Sequence, residues 1–170
     1  MANDPELTEL LTADHRRVTR MLGDGGPARE LVSELSSHLV AEAQLLYPAL
    51  RRHLAAADAD IDGLIATDHR LEEVLTTLDH SGGDPPAELA EVFARHVSAQ
   101  ERLFPELRRA AGDEELTRLG DALGEVVMEA PTHPHPRLPR EGPLEVIADS
   151  VASTLDQLRD ALRRNERRGS

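Results

Sequence analysis

The chain carries one motif twice, and this repetition decides the predicted fold. The first copy has DHR at Asp14–Arg16 and HLVAEAQLLYPALRR at His38–Arg52, and the second has DHR at Asp68–Arg70 and HVSAQERLFPELRR at His96–Arg109. Within each copy, apolar residues recur at spacings of three and four, which is typical of amphipathic helices. Each copy therefore predicts a pair of helices, and the two pairs are related by approximate two-fold symmetry.

Helix-forming residues dominate the rest of the chain, whereas glycine and proline gather in a few breaks. Short connections between consecutive helices of similar length favour antiparallel neighbours. We therefore predict an all-α fold in which residues 1–110 form an up-down-up-down four-helix bundle. The predicted bundle helices cover about residues 5–22, 27–54, 61–78 and 87–110.

Residues 111–170 are predicted to form a C-terminal helical extension that packs on the bundle. It begins with a helix over about residues 113–129 and ends with an amphipathic segment over about residues 144–164. Between them lies a Pro/His-rich linker at 130–143, which is predicted to be non-helical because proline interrupts helices.

Charge and composition exclude several classes of function. The chain has 19 Lys and Arg residues against 32 Asp and Glu residues, and its net charge of -13 disfavours nucleic acid and anionic membranes as partners. It has no cysteine, so any metal must be held by nitrogen and oxygen ligands rather than thiolates. The sequence shows neither a signal-peptide pattern nor a long apolar run, and we expect a cytoplasmic protein without membrane contact.

Four histidines and two glutamates recur on the inner faces of the predicted helices. They are His15, His38, Glu42, His69, His96 and Glu101. Burying such ions in an apolar bundle costs on the order of several kcal/mol each unless they are paired, and no lysine or arginine lies on the inner faces near them to neutralise the glutamates. A pair of divalent cations is the simplest compensation. Imidazoles with carboxylates suit iron or manganese, whereas one structural zinc leaves the second carboxylate unexplained.

The two His–Glu pairs differ in spacing. His38 and Glu42 are one helical turn apart and point the same way. His96 and Glu101 are five residues apart, which places them about 140° from eclipsed on a regular helix. Pro105 is expected to distort the helix near Glu101, because proline cannot donate to the carbonyl group four residues earlier.

Four further side chains are candidates for supporting the site. Gln100 competes with Glu101 for the inward position and is a better hydrogen-bond donor than metal ligand. Tyr47 offers an oxygen atom in range of the bundle interior, or is a packed aromatic. His133 and His135 of the linker either cover an open end of the bundle, bind a surface metal weakly, or belong to a simple linker.

These residues resemble the hemerythrin-like (HHE cation-binding) domain over about residues 7–109, including the Tyr-Pro and Phe-Pro that close the repeats. The resemblance implies two non-heme iron ions in the bundle core, with manganese as an alternative, joined by oxo, hydroxo or carboxylate bridges. Glu42 and Glu101 are the implied bridging carboxylates. The implied histidine ligands are His15 and His38 on one iron, and His69 and His96 on the other.

One position departs from the oxygen-carrying members of that family. They have a second histidine four residues after the third-helix histidine, and here that position is Glu73, preceded by Glu72. Either glutamate completes the coordination, or both lie in solvent. A carboxylate there adds negative charge and favours the ferric state, which makes reversible oxygen carriage less expected.

The predicted function is therefore that of a di-iron protein which binds or activates dioxygen or peroxide. Two alternatives stay open. One is a di-iron oxidoreductase with catalase-like or small-molecule oxidase activity. The other is a module that senses oxygen, redox state or iron, with the helices after residue 113 as its output surface.

Overall fold

The computed structural model describes residues 5–129, which are helical apart from short connections and include no strand. The elements are α1 (Leu7–Gly23), α2 (Ala28–Ala41), a π-helical turn (Glu42–Leu46), α3 (Tyr47–His53), a 3-10 turn (Ala55–Ala57), α4 (Asp58–Ser81), α5 (Ala87–Glu101), α6 (Phe104–Ala111) and α7 (Asp113–Glu129). The predicted all-α class is confirmed, and the helix ends agree within about one turn. The predicted linker at 130–143, with His133 and His135, and the segment at 144–164 lie outside the described residues.

Four helical segments form the bundle: α1, the run from α2 through the π-helical turn to α3, α4, and α5 with α6. Helix α1 packs against α2 and α5, and α4 packs against the same two helices. Each segment thus contacts its neighbours along the chain, and α1 closes the ring against α5. This is the four-helix bundle that the repeat predicts. No helix within the described residues combines the length and apolarity that crossing a membrane requires.

Two apolar clusters fill the bundle, one on each side of its middle. The first includes Leu7, Leu11, Leu46, Leu50, Ile61, Leu64, Phe104 and Leu107. The second includes Val18, Leu31, Leu35, Leu71, Leu75, Leu89 and Phe93. Every bundle segment contributes to both clusters, so the residues between these positions lie in the middle of the bundle. Polar residues of the inner faces that lie between the two apolar clusters are therefore held in the middle of the bundle.

Helix α7 packs against α1 and α2, and its Leu116 is buried in the first cluster. The close approach depends on Gly120, which faces the start of α1. A Cβ atom at Gly120 would lie 2.6 Å from the Pro5 carbonyl oxygen and 3.2 Å from the Leu7 nitrogen. Real Cβ atoms do not come that close to backbone atoms, so glycine is required for this contact.

We expect Gly120→Ala to lower the melting temperature, because the added methyl group pushes α7 away from Pro5. Overpacking of this kind typically costs about 1–3 kcal/mol. Gly124→Ala is the matched control, since a Cβ atom there has nothing within 4 Å. Replacing a helical glycine by alanine in open space typically stabilises by about 0.5–1 kcal/mol. Thermal unfolding followed by circular dichroism measures both, and equal stabilisation of the two variants would contradict the contact.

Candidate metal centre

A layer of buried polar side chains separates the two apolar clusters. We call it the polar layer; it consists of His15, His38, Glu42, Asp68, His96 and Gln100. Along each helix these residues lie between members of the two clusters, as His15 does between Leu11 and Val18 in α1. Two carboxylates and three imidazoles are thus enclosed by apolar side chains on both sides, where unpaired charge is costly.

Three imidazoles and one carboxylate of the polar layer converge on one point. One ligand atom each from His15, His38, Glu42 and His96 lies within 4.8 Å of the others. Glu42 Oε1 is 2.7 Å from His38 Nε2, 3.1 Å from His96 Nε2 and 3.8 Å from His15 Nε2. The four residues come from three different bundle segments. Convergence from several directions is what a metal ion requires of its ligands.

Two of the converging nitrogens lack a hydrogen-bond partner. His15 Nε2 and His38 Nε2 are buried without one, even though the Glu42 carboxylate lies close to the latter. A divalent transition metal fits this point, because it accepts the lone pairs of imidazole nitrogens and a carboxylate oxygen together. The residues of the polar layer therefore fit a metal site, and the predicted metal-binding character of the chain is supported.

Each converging imidazole has a carboxylate beside its other ring nitrogen. The pairs are His38 Nδ1 with Asp14 Oδ2 at 2.7 Å, His15 Nδ1 with Glu101 Oε1 at 2.9 Å, and His96 Nδ1 with Asp68 Oδ1 at 3.0 Å. The first two are hydrogen bonds, whereas the third is a close contact whose angle falls outside hydrogen-bond geometry. Metal-binding histidines commonly have such a carboxylate partner, which fixes the ring and its tautomer.

The imidazoles and the carboxylate shift each other's pKa values. Burial alone lowers the pKa of His38, but the charge of Glu42 and the hydrogen bond to Asp14 outweigh it and raise the pKa to about 9. Burial likewise lowers the pKa of His96, and Glu42 with Asp68 raises it to about 11. Burial raises the pKa of Glu42, yet the two histidines hold it well below its usual value. Glu42 is therefore ionised, and its buried negative charge is stabilised by positive charge at the centre of the bundle.

Gln100 and Tyr47 complete the surroundings of Glu42. Gln100 Nε2 donates to Glu42 Oε1 at 2.7 Å. The Tyr47 hydroxyl donates to Asp68 and lies 3.3 Å from Glu42 Oε2. Burial and the charges of Glu42 and Asp68 raise the Tyr47 pKa well above its usual value, so the hydroxyl keeps its proton. Both side chains predicted to support the site are thus beside its carboxylate.

Helix irregularities at the two Pro motifs set the orientation of these side chains. In the first copy, Glu42 begins the π-helical turn, and its carbonyl accepts from the Tyr47 backbone N–H five residues later. In the second copy, α5 ends at Glu101 and α6 begins at Phe104. This break confirms the predicted distortion near Pro105. Gln100 is fully buried at the break, whereas the Glu101 side chain is 38% exposed.

The structure does not bring all predicted ligands together. His69 is half-buried and is not among the four converging residues, while its neighbour Asp68 is buried in the polar layer. Glu73 is exposed and forms a salt bridge with Arg70 at 2.9 Å, and Glu72 is half-buried. Within residues 5–129 the convergence therefore includes four of the six predicted ligands, without His69 and Glu101. A second ion that uses His69 and Glu101 stays a prediction.

Asp14 and Asp68 are the polar neighbours of the site that the sequence reasoning left without a role. Both stand in the repeated DHR motif, directly before His15 and His69. Their duplication was the available signal. In each motif the histidine was predicted to be the ligand, because histidine binds metals more commonly than aspartate does. In the second copy, however, Asp68 is more buried than His69.

One curated protein that resembles this chain is an uncharacterized hemerythrin-like protein of Schizosaccharomyces pombe. The two are 27% identical over 141 residues, which cover 78% of this chain and 70% of the relative. No family model matches the chain, and no solved structure matches it. The relative's description and the buried histidine–glutamate group agree with the resemblance found in the repeat: over most of its length the chain is similar to a hemerythrin-like protein.

Proposed function

We propose that this chain is a non-heme iron protein that binds or activates dioxygen or peroxide in the polar layer. The observation that carries the proposal is the convergence of three buried imidazoles and the Glu42 carboxylate within 4.8 Å. Iron is favoured over manganese by the hemerythrin-like resemblance, and both metals accept this donor set. Bound iron supplies the electrons that reduce dioxygen or peroxide.

The proposed first ion is held by His15, His38, His96 and Glu42. These four residues would hold the metal, and an ion that prefers six ligands would have room to bind a small molecule as well. The resemblance implies two irons, with Glu42 and Glu101 as bridges, His15 and His38 on one iron, and His69 and His96 on the other. In the structure His96 instead lies with His15 and His38, which leaves His69 and Glu101 for a second ion. In the described geometry Glu101 Oε1 lies 2.9 Å from His15 Nδ1, so a second ion would use the other carboxylate oxygen of Glu101 or replace this contact.

Aromatic rings keep water from the proposed centre. The Phe93 ring lies 6.0–6.2 Å from the rings of His15, His38 and His96. The Phe104 ring stacks on His15 at 6.3 Å. With an apolar cluster on each side, the polar layer favours entry of small, uncharged molecules, such as apolar dioxygen and the compact hydrogen peroxide. Larger or charged substrates are disfavoured by the desolvation that this enclosure imposes.

Tyr47 holds a proton beside the proposed centre. Its hydroxyl lies between Asp68 and Glu42 Oε2, and its raised pKa keeps the proton on the oxygen. A hydroxyl that keeps its proton donates hydrogen bonds, and a donor positioned beside a reacting molecule stabilises negative charge that develops on it. This buried donor favours a second candidate function, an oxidoreductase that turns over peroxide or a small substrate.

His38→Ala is expected to lose at least one iron per chain after anaerobic loading with ferrous iron. The substitution removes an imidazole from the convergence while leaving the apolar clusters in place. Elemental analysis measures the iron, and His80→Ala is the matched control, because His80 is exposed in the last turn of α4. Equal iron in His38→Ala and wild type would contradict the proposed ligand set.

Tyr47→Phe is expected to keep the bound iron and to consume hydrogen peroxide more slowly, on the order of 100-fold, because the hydroxyl no longer stabilises the charge that develops during reduction. The second copy has phenylalanine at the corresponding position, Phe104, so the ring itself suits such a site. The measurement is the peroxide consumption rate at matched iron content. An unchanged rate would remove Tyr47 from the mechanism while leaving the metal site intact.

A further inference from the structure

The two aspartates of the repeated motif have the same structural relationship to the proposed metal site. We propose that Asp14 and Asp68 are positioning residues that hold the imidazoles of His38 and His96 in their metal-binding orientation. This proposal rests on the proposed metal site and deepens it. It gives a role to the repeated aspartates, which are not among the proposed metal ligands.

Each aspartate acts on the next helix of its own copy. Asp14 lies in α1 and contacts Nδ1 of His38 in α2 at 2.7 Å. Asp68 lies in α4 and contacts Nδ1 of His96 in α5 at 3.0 Å. In both pairs the opposite ring nitrogen, Nε2, faces Glu42 Oε1, at 2.7 Å and 3.1 Å. Both copies thus place an aspartate oxygen within 3.0 Å of a histidine Nδ1 beside the same central carboxylate, and the Asp14 pair also has hydrogen-bond geometry.

The chemistry of imidazole explains why such a partner is needed. A neutral ring has one protonated and one unprotonated nitrogen, and only the unprotonated nitrogen binds a metal. A carboxylate at Nδ1 keeps the proton there, leaves the Nε2 lone pair for the metal, and makes that lone pair more basic. It also prevents rotation of the ring away from the centre. Without the partner, either nitrogen can face the metal and part of the affinity is lost.

The two aspartates are themselves held in different ways. Asp14 lies near the bundle surface and pairs with Arg17, whose Nε is 3.1 Å from Asp14 Oδ1. Arg17 in turn reaches Glu34 on α2 at 2.6 Å. Asp68 is buried and accepts a hydrogen bond from the Tyr47 hydroxyl. Because Asp14 is only half-buried, its substitution disturbs the core less than substitution of Asp68 does, and the two positions provide independent tests.

The experiment titrates metal-free full-length protein with Co²⁺, a spectroscopic substitute for ferrous iron. Tyr47 is the only tyrosine and the chain has no tryptophan, so its fluorescence reports directly on the polar layer. Asp14→Asn and Asp68→Asn are each expected to weaken Co²⁺ binding by about 10- to 100-fold. Asp60→Asn is the matched control, because Asp60 is exposed on α4 and its substitution changes the net charge equally.

A second readout separates positioning from a general loss of stability. The Nδ1 protons of Co²⁺-bound histidines give shifted, exchangeable proton resonances. Asp14→Asn should move the His38 resonance alone, and Asp68→Asn the His96 resonance alone, whereas a destabilised bundle would broaden all of them. If Asp68→Asn does not fold, as its thermal unfolding will show, Asp14→Asn still decides the proposal through His38.

The outcomes distinguish this proposal from the function on which it rests. Wild-type affinity and unmoved resonances in Asp14→Asn overturn the positioning role and leave the metal site standing. Equal weakening in Asp60→Asn also overturns the positioning role, because the effect then comes from net charge. Failure of the wild type to bind Co²⁺ overturns the metal site itself, and the positioning role with it.

Discussion

The buried carboxylate of Glu42 is the constraint around which the middle of the bundle is built. It is fully enclosed between two apolar clusters, where an unpaired negative charge is costly. Three imidazoles, the Gln100 amide and the Tyr47 hydroxyl all face its two oxygen atoms. The polar layer contains no lysine or arginine. The positive charge that balances Glu42 is therefore supplied either by protons on the imidazoles or by a metal ion that the neutral imidazoles bind.

The duplication supplies a symmetrical framework, and differences between the copies break the symmetry where it matters. The position four residues after the histidine is Glu42 in the first copy and Gln100 in the second. Two carboxylates at these buried positions would repel each other, whereas the Gln100 amide donates to Glu42. The aromatic residue before each proline also differs, and only Tyr47 has a hydroxyl to donate. One copy thus contributes the central anion, and the other contributes the donor that stabilises it.

Much of the site was predictable from the repeat, because helical periodicity places His15, His38, Glu42 and His96 on the apolar faces. The choice between adjacent residues was not. Asp68 and His69 are about 100° apart on α4, and both border the inner face. Gln100 and Glu101 pose the same ambiguity at the break before Pro105. In each case the first residue of the pair is the more buried, because the orientation of the helix about its own axis turns that residue towards the neighbouring helices.

The sequence by itself determined that the chain forms amphipathic helices in two related pairs, and which imidazoles and carboxylates lie near their inner faces. Those properties are local, since each follows from residue spacing within one helix. The tertiary structure decided which of these side chains meet, with Asp14 and Asp68 each reaching a histidine of the following helix. Contacts between helices depend on their rotation and separation. The packing of the two apolar clusters sets both, and spacing along the chain does not encode them.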